Sequence, residues 1–494
     1  MSDRVHINQL PSGVAGLDDV LGGGLPELSF NLIAGPPGSG KTTLAHQIMF
    51  ASANPERPAL FVTILGEPPI KMLRYQQQYS FFDPDRIPGS IRLLHLGAEV
   101  LEEGLDRVLA RIVAEVEATS PKLVFVDSFR AVVRRSVEPN QLDLQAFLQR
   151  LSLHLTSWEA TTFLIGEYDA SEADCNPIFT VADGILWLSQ FTDRNSVVRK
   201  VQVMKMRGQG QVPGLHTMKI SEEGIRVYPR LPNPDRPPDQ PIGPSQPRRR
   251  TGVRELDEML GGGIPAGYSV MVVGPSGSGK TILTTQFIRQ GIEDGEPGVI
   301  AVFEKRPEEY LSTVQNAGKL RELVEEGMLK MLYLRPLDLS VDETMEEIAA
   351  AVRAVGATRV AIDSLSGFEL ALAPSFREDF RESLYRMVGA LVRLGVTVMM
   401  TAELVDSYSE LRMSPHGISF LTDGIILQRY AELDGCLEKV IAVAKMRGLA
   451  HSKELRRYDI GEDGIVLGEA LTGYQGILVG VPRPISRRGD DKAR

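Results

Sequence analysis

Two stretches of this sequence have the residue types and spacing that cradle phosphate. Gly35-Pro36-Pro37-Gly38-Ser39-Gly40-Lys41-Thr42 and Gly274-Pro275-Ser276-Gly277-Ser278-Gly279-Lys280-Thr281 both read G-x-x-x-x-G-K-T. Glycines let the backbone curl so that successive N–H groups converge on phosphate oxygens. A following helix aims its N-terminus at the same anion. Lys41 and Lys280 are expected to reach the β- and γ-phosphates of ATP, and Thr42 and Thr281 to ligand Mg²⁺. Thr43 and Ile282 complete the two nucleotide-binding stretches. One such match arises by accident in a chain of this length at a rate on the order of a few per cent. Two matches, each preceded by a β-rich run and followed by helical spacing, leave little room for coincidence.

A second acidic group completes a phosphate-loop site by holding the Mg²⁺ water shell. Asp127 closes the apolar run Leu123-Val124-Phe125-Val126, and Asp363 closes Val360-Ala361-Ile362. Alone, an aspartate at a strand end is more often a helix cap. Its recurrence at the same place in both halves favours the metal role.

The elements that must position these residues also recur. Gly13-Val14-Ala15-Gly16-Leu17-Asp18 with Leu21-Gly22-Gly23-Gly24-Leu25-Pro26 returns 239 residues later as Gly252–Asp257 with Leu260–Pro265. The phosphate loop repeats at 239, Val126-Asp127-Ser128 at 236 as Ile362-Asp363-Ser364, and Lys205-Met206-Arg207-Gly208 at 240 as Lys445-Met446-Arg447-Gly448. Ordered landmarks at near-constant offset mark a tandem duplication. In each half, short apolar runs such as Phe30–Ala34 and Val270–Val273 precede the loop. Leu44, Ile48 and Met49, and Leu283 and Phe287, follow at helical spacing. That alternation predicts an α/β fold with a largely parallel sheet in each half. Prolines crowd the seam from Tyr228 to Arg250, and proline suits neither helix nor inner strand. The expected organisation is a first domain at 1–232, a proline-rich linker at 233–250, and a second domain at 251–494 with a polar tail. Arg248-Arg249-Arg250 is expected to be a solvated charge run ending that linker.

Composition excludes several classes. The 494 residues are 43% hydrophobic and 24% charged, which is globular rather than disordered. No apolar stretch approaches the ~20 residues that span a bilayer, and Met1-Ser2-Asp3-Arg4-Val5-His6 has no secretory apolar region. Cys175 and Cys436 are too few for a disulfide framework or a zinc cluster. A cytoplasmic protein without membrane contact is expected. The formal net charge of −10 makes nucleic acid an unfavoured partner.

Taken together, the Gly-Leu-Asp…Leu-Gly-Gly-Gly-Leu-Pro lead-in, the phosphate loop, the aspartate and Lys-Met-Arg-Gly, all in tandem, resemble the KaiC family. Those proteins are double-domain ATPases of the RecA-like superfamily known from the circadian clock. The resemblance implies two tandem RecA-like domains assembling as a stacked-ring homohexamer with ATP at subunit interfaces. It implies an ATPase in the first ring, and in the second an ATPase that is also a serine/threonine autokinase. It further implies signalling partners, KaiB-like among them. Lys205 and Arg207, with Lys445 and Arg447, fall at family positions that reach the γ-phosphate held by a neighbouring subunit. The role is physically sensible: a cation arriving from outside offsets charge on the transferring phosphoryl group. Strand periodicity would set Val201, Val203, Lys205 and Arg207 on one face, as also Ile441, Val443, Lys445 and Arg447.

Two departures from the family pattern matter. The family places two glutamates after the second core strand, the first polarising the nucleophile. Glu304 keeps the first in the second half, and Lys305 replaces the other. In the first half Leu65 and Gly66 stand there, and only Glu67 is close. Glu67 serves if the strand bulges; otherwise the first domain holds ATP mainly as structural glue. The family also carries adjacent Ser and Thr phosphorylation sites. Here the stretch reads Ile418-Ser419-Phe420-Leu421-Thr422-Asp423, so Ser419 keeps one, Phe420 removes the other, and Thr422 matches a nearby hydroxyl. Two rival functions share these motifs. One is a DNA-handling motor of the same superfamily; the other is a scaffold that uses ATP only to close its ring.

Overall fold

The computed structural model describes residues 7–64, 69–96, 105–130, 141–173, 176–193, 196–230, 246–314, 317–334, 340–372, 380–404, 421–479 and 481–485. The chain forms two compact units, Met1–Arg230 and Leu231–Arg494. Each contains one nine-stranded, mostly parallel sheet flanked by helices, the α/β arrangement that strand–helix alternation predicts and the tandem RecA-like plan that the resemblance implies.

In the first unit the strand order is Ile91–Leu96, Ala59–Ile64, Leu123–Asp127, Thr161–Glu167, Phe30–Gly35, Gly184–Asp193, Ser196–Met206, His216–Ser221, Gly224–Tyr228. The first six are parallel and the last three run antiparallel. Phe30–Gly35 and Ala59–Ile64 are buried at every position, as strands covered on both faces must be. One face packs Ile33, Phe61, Phe125 and Phe163 against Leu44 and Ile48 of helix Lys41–Ser52. The other packs Leu32, Val62, Val124 and Leu164 against Val108, Phe147 and Leu151 of helices Leu105–Thr119 and Gln141–Ser157. Fully burying each such side chain stabilises by about 1.5–3 kcal/mol. This double-sided core fixes where the strand ends, and therefore the loops, emerge.

The second unit repeats the plan, in the order Leu329–Tyr333, Gly298–Val302, Arg359–Asp363, Thr397–Glu403, Ser269–Gly274, Gly424–Leu433, Cys436–Met446, Arg456–Gly461, Gly464–Ala470. The lead-in motif has the same local use in both. The Asp18 carboxylate accepts the Ser12 N–H at 3.0 Å, and that of Asp257 accepts the Thr251 N–H at 2.8 Å.

Two expectations change. Arg248–Arg249 is a short strand paired with Ile264–Pro265, Arg249 pairs with Glu296, and Arg250 pairs with Asp294. Arg248 and Arg249 therefore belong to the second unit's structure, while Arg250 stays exposed as the charge run predicts. The carboxylates that hold Arg249 and Arg250 follow the phosphate-loop helix, a contact that sequence distance hides. The second change is one of strand face. A β-bulge between Ile185 and Leu186 shifts the pairing so that Ile185 faces Lys205 and Leu186 faces Val203. Val201, Val203 and Met206 all enter the same core, and Lys205 with Arg207 turns to the opposite face. The second unit has the same bulge between Ile425 and Ile426, with Ile441, Val443 and Met446 in one core. One extra residue inverts the alternation that follows it.

Candidate nucleotide sites

Each phosphate loop leaves the carboxyl end of a parallel strand and enters a helix, Lys41–Ser52 or Lys280–Glu293. Ligands in α/β folds bind at that edge. Gly40 and Gly279 cap these helices at φ 97° and 93°. A Cβ there would lie 2.7 Å from Ile220 and 2.9 Å from Ile460. Both the left-handed backbone and the close approach require glycine.

Lys41 Nζ donates to the Pro36 carbonyl at 2.7 Å. Lys280 Nζ donates to the Gly274 and Pro275 carbonyls at 2.9 and 2.7 Å. Burial pushes both ammonium pKa values down. Glu167 and Asp127 oppose this at Lys41, and Glu403, Asp363 and Glu304 at Lys280. Both lysines thus lie over the loop in an acidic field.

The threonine and the aspartate meet as the motifs require. Thr42 Oγ1 donates to Asp127 Oδ2 at 2.7 Å, and Thr281 Oγ1 donates to Asp363 Oδ2 at 2.7 Å. Thr401 also donates to Asp363 Oδ1. Burial raises the Asp127 carboxyl to about 6 against the Thr42 bond and the Lys41 charge. It raises Asp363 too, against the Thr401 and Thr281 bonds. Hydroxyl plus carboxylate is an all-oxygen donor set, the kind Mg²⁺ takes together with substrate phosphates. The residues present fit that ion.

The second cleft, of about 310 Å³, contains Lys280, Thr281, Glu304, Lys305 and Asp363. Ser364 Oγ donates to Glu304 Oε1 at 2.7 Å. A Cβ on Gly367 would lie 2.6 Å from Glu304 Cγ, so that glycine makes room for the glutamate. The first cleft, of about 530 Å³, contains Lys41, Thr42, Asp127, Ser128 and Arg199. Pairing Thr63 with Asp127 and Val302 with Asp363 aligns the two second core strands. Two residues further on stand Leu65 and Glu304.

Two cleft residues escaped the sequence reading. Glu167 and Glu403 end the strands beside the loop strands, opposite Gly35 and Gly274, and each enters its cleft. A signal existed, because the offset of 236 that relates Asp127 to Asp363 also relates these glutamates.

Residues 10–232 and 249–472 match the family model described as ATPase, KaiC. The chain belongs to the KaiC family. It is 26% identical to the circadian clock oscillator protein KaiC of Parathermosynechococcus lividus, over 98% of this chain and 90% of that protein. It is 27% identical to circadian clock oscillator protein KaiC 1 of Synechocystis, over 98% and 93%. The corresponding protein of Rippkaea orientalis is 28% identical, over 97% and 92%.

The KaiC-type Lys-x-Arg pairs sit far from their own loops. Lys205 Nζ donates to the Phe179 and Thr180 carbonyls at 3.3 and 3.0 Å, and Arg207 pairs with Asp183 at 2.9 Å. Asp183 in turn bonds Phe30, at the start of the strand whose end carries the loop. Phe30–Gly35 spans about 17 Å. Lys445 likewise donates to the Thr422 carbonyl at 2.7 Å, and Arg447 pairs with Asp423 at 3.7 Å, beside Ser269. Neither pair can serve the loop of its own unit.

Of the other KaiC-type positions, Glu67 and Ser419 lie outside the described residues. Thr422 is 2% exposed with its hydroxyl buried. In this fold that hydroxyl is turned away from solvent. Among the described residues no helix is long and apolar enough to cross a membrane.

Proposed function

We propose that this KaiC-family ATPase hydrolyses ATP with Mg²⁺ at two sites per chain and works as a homohexamer. The recurrence of one constellation carries the reading: a loop lysine over its own backbone, and a threonine hydroxyl 2.7 Å from a buried aspartate, in both units. Thr42 with Asp127, and Thr281 with Asp363, would hold Mg²⁺, which neutralises charge on the β- and γ-phosphate oxygens. The loop N–H groups and Lys41 or Lys280 position the phosphates for in-line attack by water. In the second unit Glu304, held by Ser364, orients that water and takes its proton.

Oligomerisation follows from reach. Lys205, Arg207, Lys445 and Arg447 lie at the far end of the strand from their own loops, so a role at phosphate requires another copy of the chain. Autokinase activity, where it occurs, falls on Ser419, because Phe420 cannot accept a phosphoryl group. KaiB-like signalling partners and a circadian-type role follow from the family alone. A DNA-handling motor fits less well with the net charge of −10.

Size-exclusion chromatography combined with ATP turnover tests the proposal on wild type, Lys41→Ala and Lys280→Ala. Each substitution is expected to remove one share of turnover, and both together all of it, with assembly dependent on nucleotide. Nucleotide-dependent assembly without turnover would instead make the chain an ATP-closed scaffold. Salt-sensitive binding of single-stranded DNA by the assembled protein would revive the motor.

A further inference from the structure

In sequence, Leu65 follows Thr63 by two residues, as Glu304 follows Val302 in the second unit, and Thr63 pairs with Asp127 as Val302 pairs with Asp363. Among the described residues of the first unit, a different glutamate, Glu167, lines the cleft. Glu167 follows Asp127 by 40 residues, as Glu403 follows Asp363. It ends a strand paired in parallel with the loop strand, opposite Gly35. It shares the first cleft with Lys41, Thr42 and Asp127.

The strand end carrying Glu167 is held in place. Arg130, three residues after Asp127, donates to the Glu167 carbonyl and to Glu172 Oε2 at 2.6 Å. Its guanidinium lies 5.2 Å from the Tyr168 ring centroid. The second unit uses the same place in the repeat with different chemistry: Ser366, three residues after Asp363, accepts the Glu403 N–H at 3.3 Å. In both units the segment after the metal-site aspartate is thereby tied to the segment of the cleft glutamate.

We propose that Glu167 is the water-orienting carboxylate of the first unit, so that this unit hydrolyses ATP without a glutamate at position 65. The inference rests on the nucleotide-site reading above. The water oxygen bonds to the γ-phosphorus as the bond from γ-phosphorus to the bridging oxygen breaks. That bonding pair leaves with ADP, and the water proton passes to Glu167 and then to solvent. In the second unit Glu403, at the same place in the repeat, lines the cleft together with Glu304, so the two units divide the task differently.

The test uses the full chain with Lys280→Ala, which silences the second site. Binding of a fluorescent ATP analogue and single-turnover hydrolysis are compared with and without Glu167→Gln. Glutamine is isosteric and the position is exposed, so the fold is not at risk. Glu167→Gln is expected to bind within about threefold of its parent and to hydrolyse about 100-fold more slowly, the usual scale for losing a positioned base. A purely structural role would move binding and not this ratio. Hydrolysis within about threefold of the parent overturns the proposal, as does a parent that binds the analogue and never hydrolyses ATP. A parent that fails to bind the analogue overturns the nucleotide-site reading itself, which the binding arm reports separately.

Discussion

Ser364 donates a 2.7 Å hydrogen bond to Glu304 from the residue directly after Asp363. The bond couples the proposed base of the second cleft to the segment of the proposed metal ligand. With the first site silenced by Lys41→Ala, Glu304→Gln is expected to slow turnover about 100-fold. Ser364→Ala should slow it about 10-fold, through loss of orientation rather than of the base. Nucleotide affinity measured alongside should change little in both. A Ser364→Ala protein that loses affinity and keeps its rate constant would place the serine in binding instead.

The Thr281–Asp363 bond marks the proposed Mg²⁺ site. Thr281→Val removes one oxygen donor and keeps the shape. In the Lys41→Ala chain it is expected to raise the Mg²⁺ concentration needed for half-maximal turnover by at least tenfold, with EDTA-treated binding unchanged. Titration of turnover with Mg²⁺ reads this directly.

Arg207 lies beside the start of the loop strand, about 17 Å from its own loop. In the Lys280→Ala background, Arg207→Ala should reduce first-site turnover by about 10³-fold, the lower range for an arginine finger. Mixing that protein with Lys41→Ala/Lys280→Ala should restore turnover, because each supplies what the other lacks across an interface. No recovery on mixing would deny the action in trans.

Phosphopeptide mapping after incubation with Mg-ATP is expected to show no phosphate on Thr422, which is 2% exposed. Any phosphate in this segment should fall on Ser419. Phosphate on Thr422 would require the strand start at Gly424 to open.

His46 is fully buried on the first loop helix, stacked 4.5 Å from Phe61, and burial pushes its pKa down to about 4. The unfolded chain protonates this ring below about 6.5, so the unfolded state binds the extra proton first. The neutral ring's contribution is intact above 6.5 and is lost as pH falls toward 4, at a cost on the order of 3 kcal/mol. Urea unfolding of wild type and His46→Leu between pH 4 and 6.5 should differ in pH slope by about one proton.

Arg359 is 1% exposed, pairs with Glu296 at 2.7 Å, donates to the Arg250 and Phe287 carbonyls, and stacks over the Phe287 ring. Removing one member of a buried ionic cluster leaves the others uncompensated. Arg359→Met is therefore expected to destabilise the second unit by about 3–5 kcal/mol in urea unfolding.

The sequence by itself determined the duplication, the α/β class, both phosphate loops and the aspartates that complete them. Those signals are local: a glycine pattern, an apolar run and a constant offset survive without knowledge of what packs on what. Leu65 could be read in place of the expected glutamate for the same reason. Tertiary structure alone decided the rest. It turned Lys205 and Lys445 off the face of Val203 and Val443, because a single bulged residue inverts strand alternation and leaves no mark in composition. It fastened Arg249 to Glu296 and Arg250 to Asp294, and buried Thr422. It brought Glu167 beside Gly35 although they are 132 residues apart. Sheet order and register arise from burying both faces of the sheet at once, so no single segment encodes them.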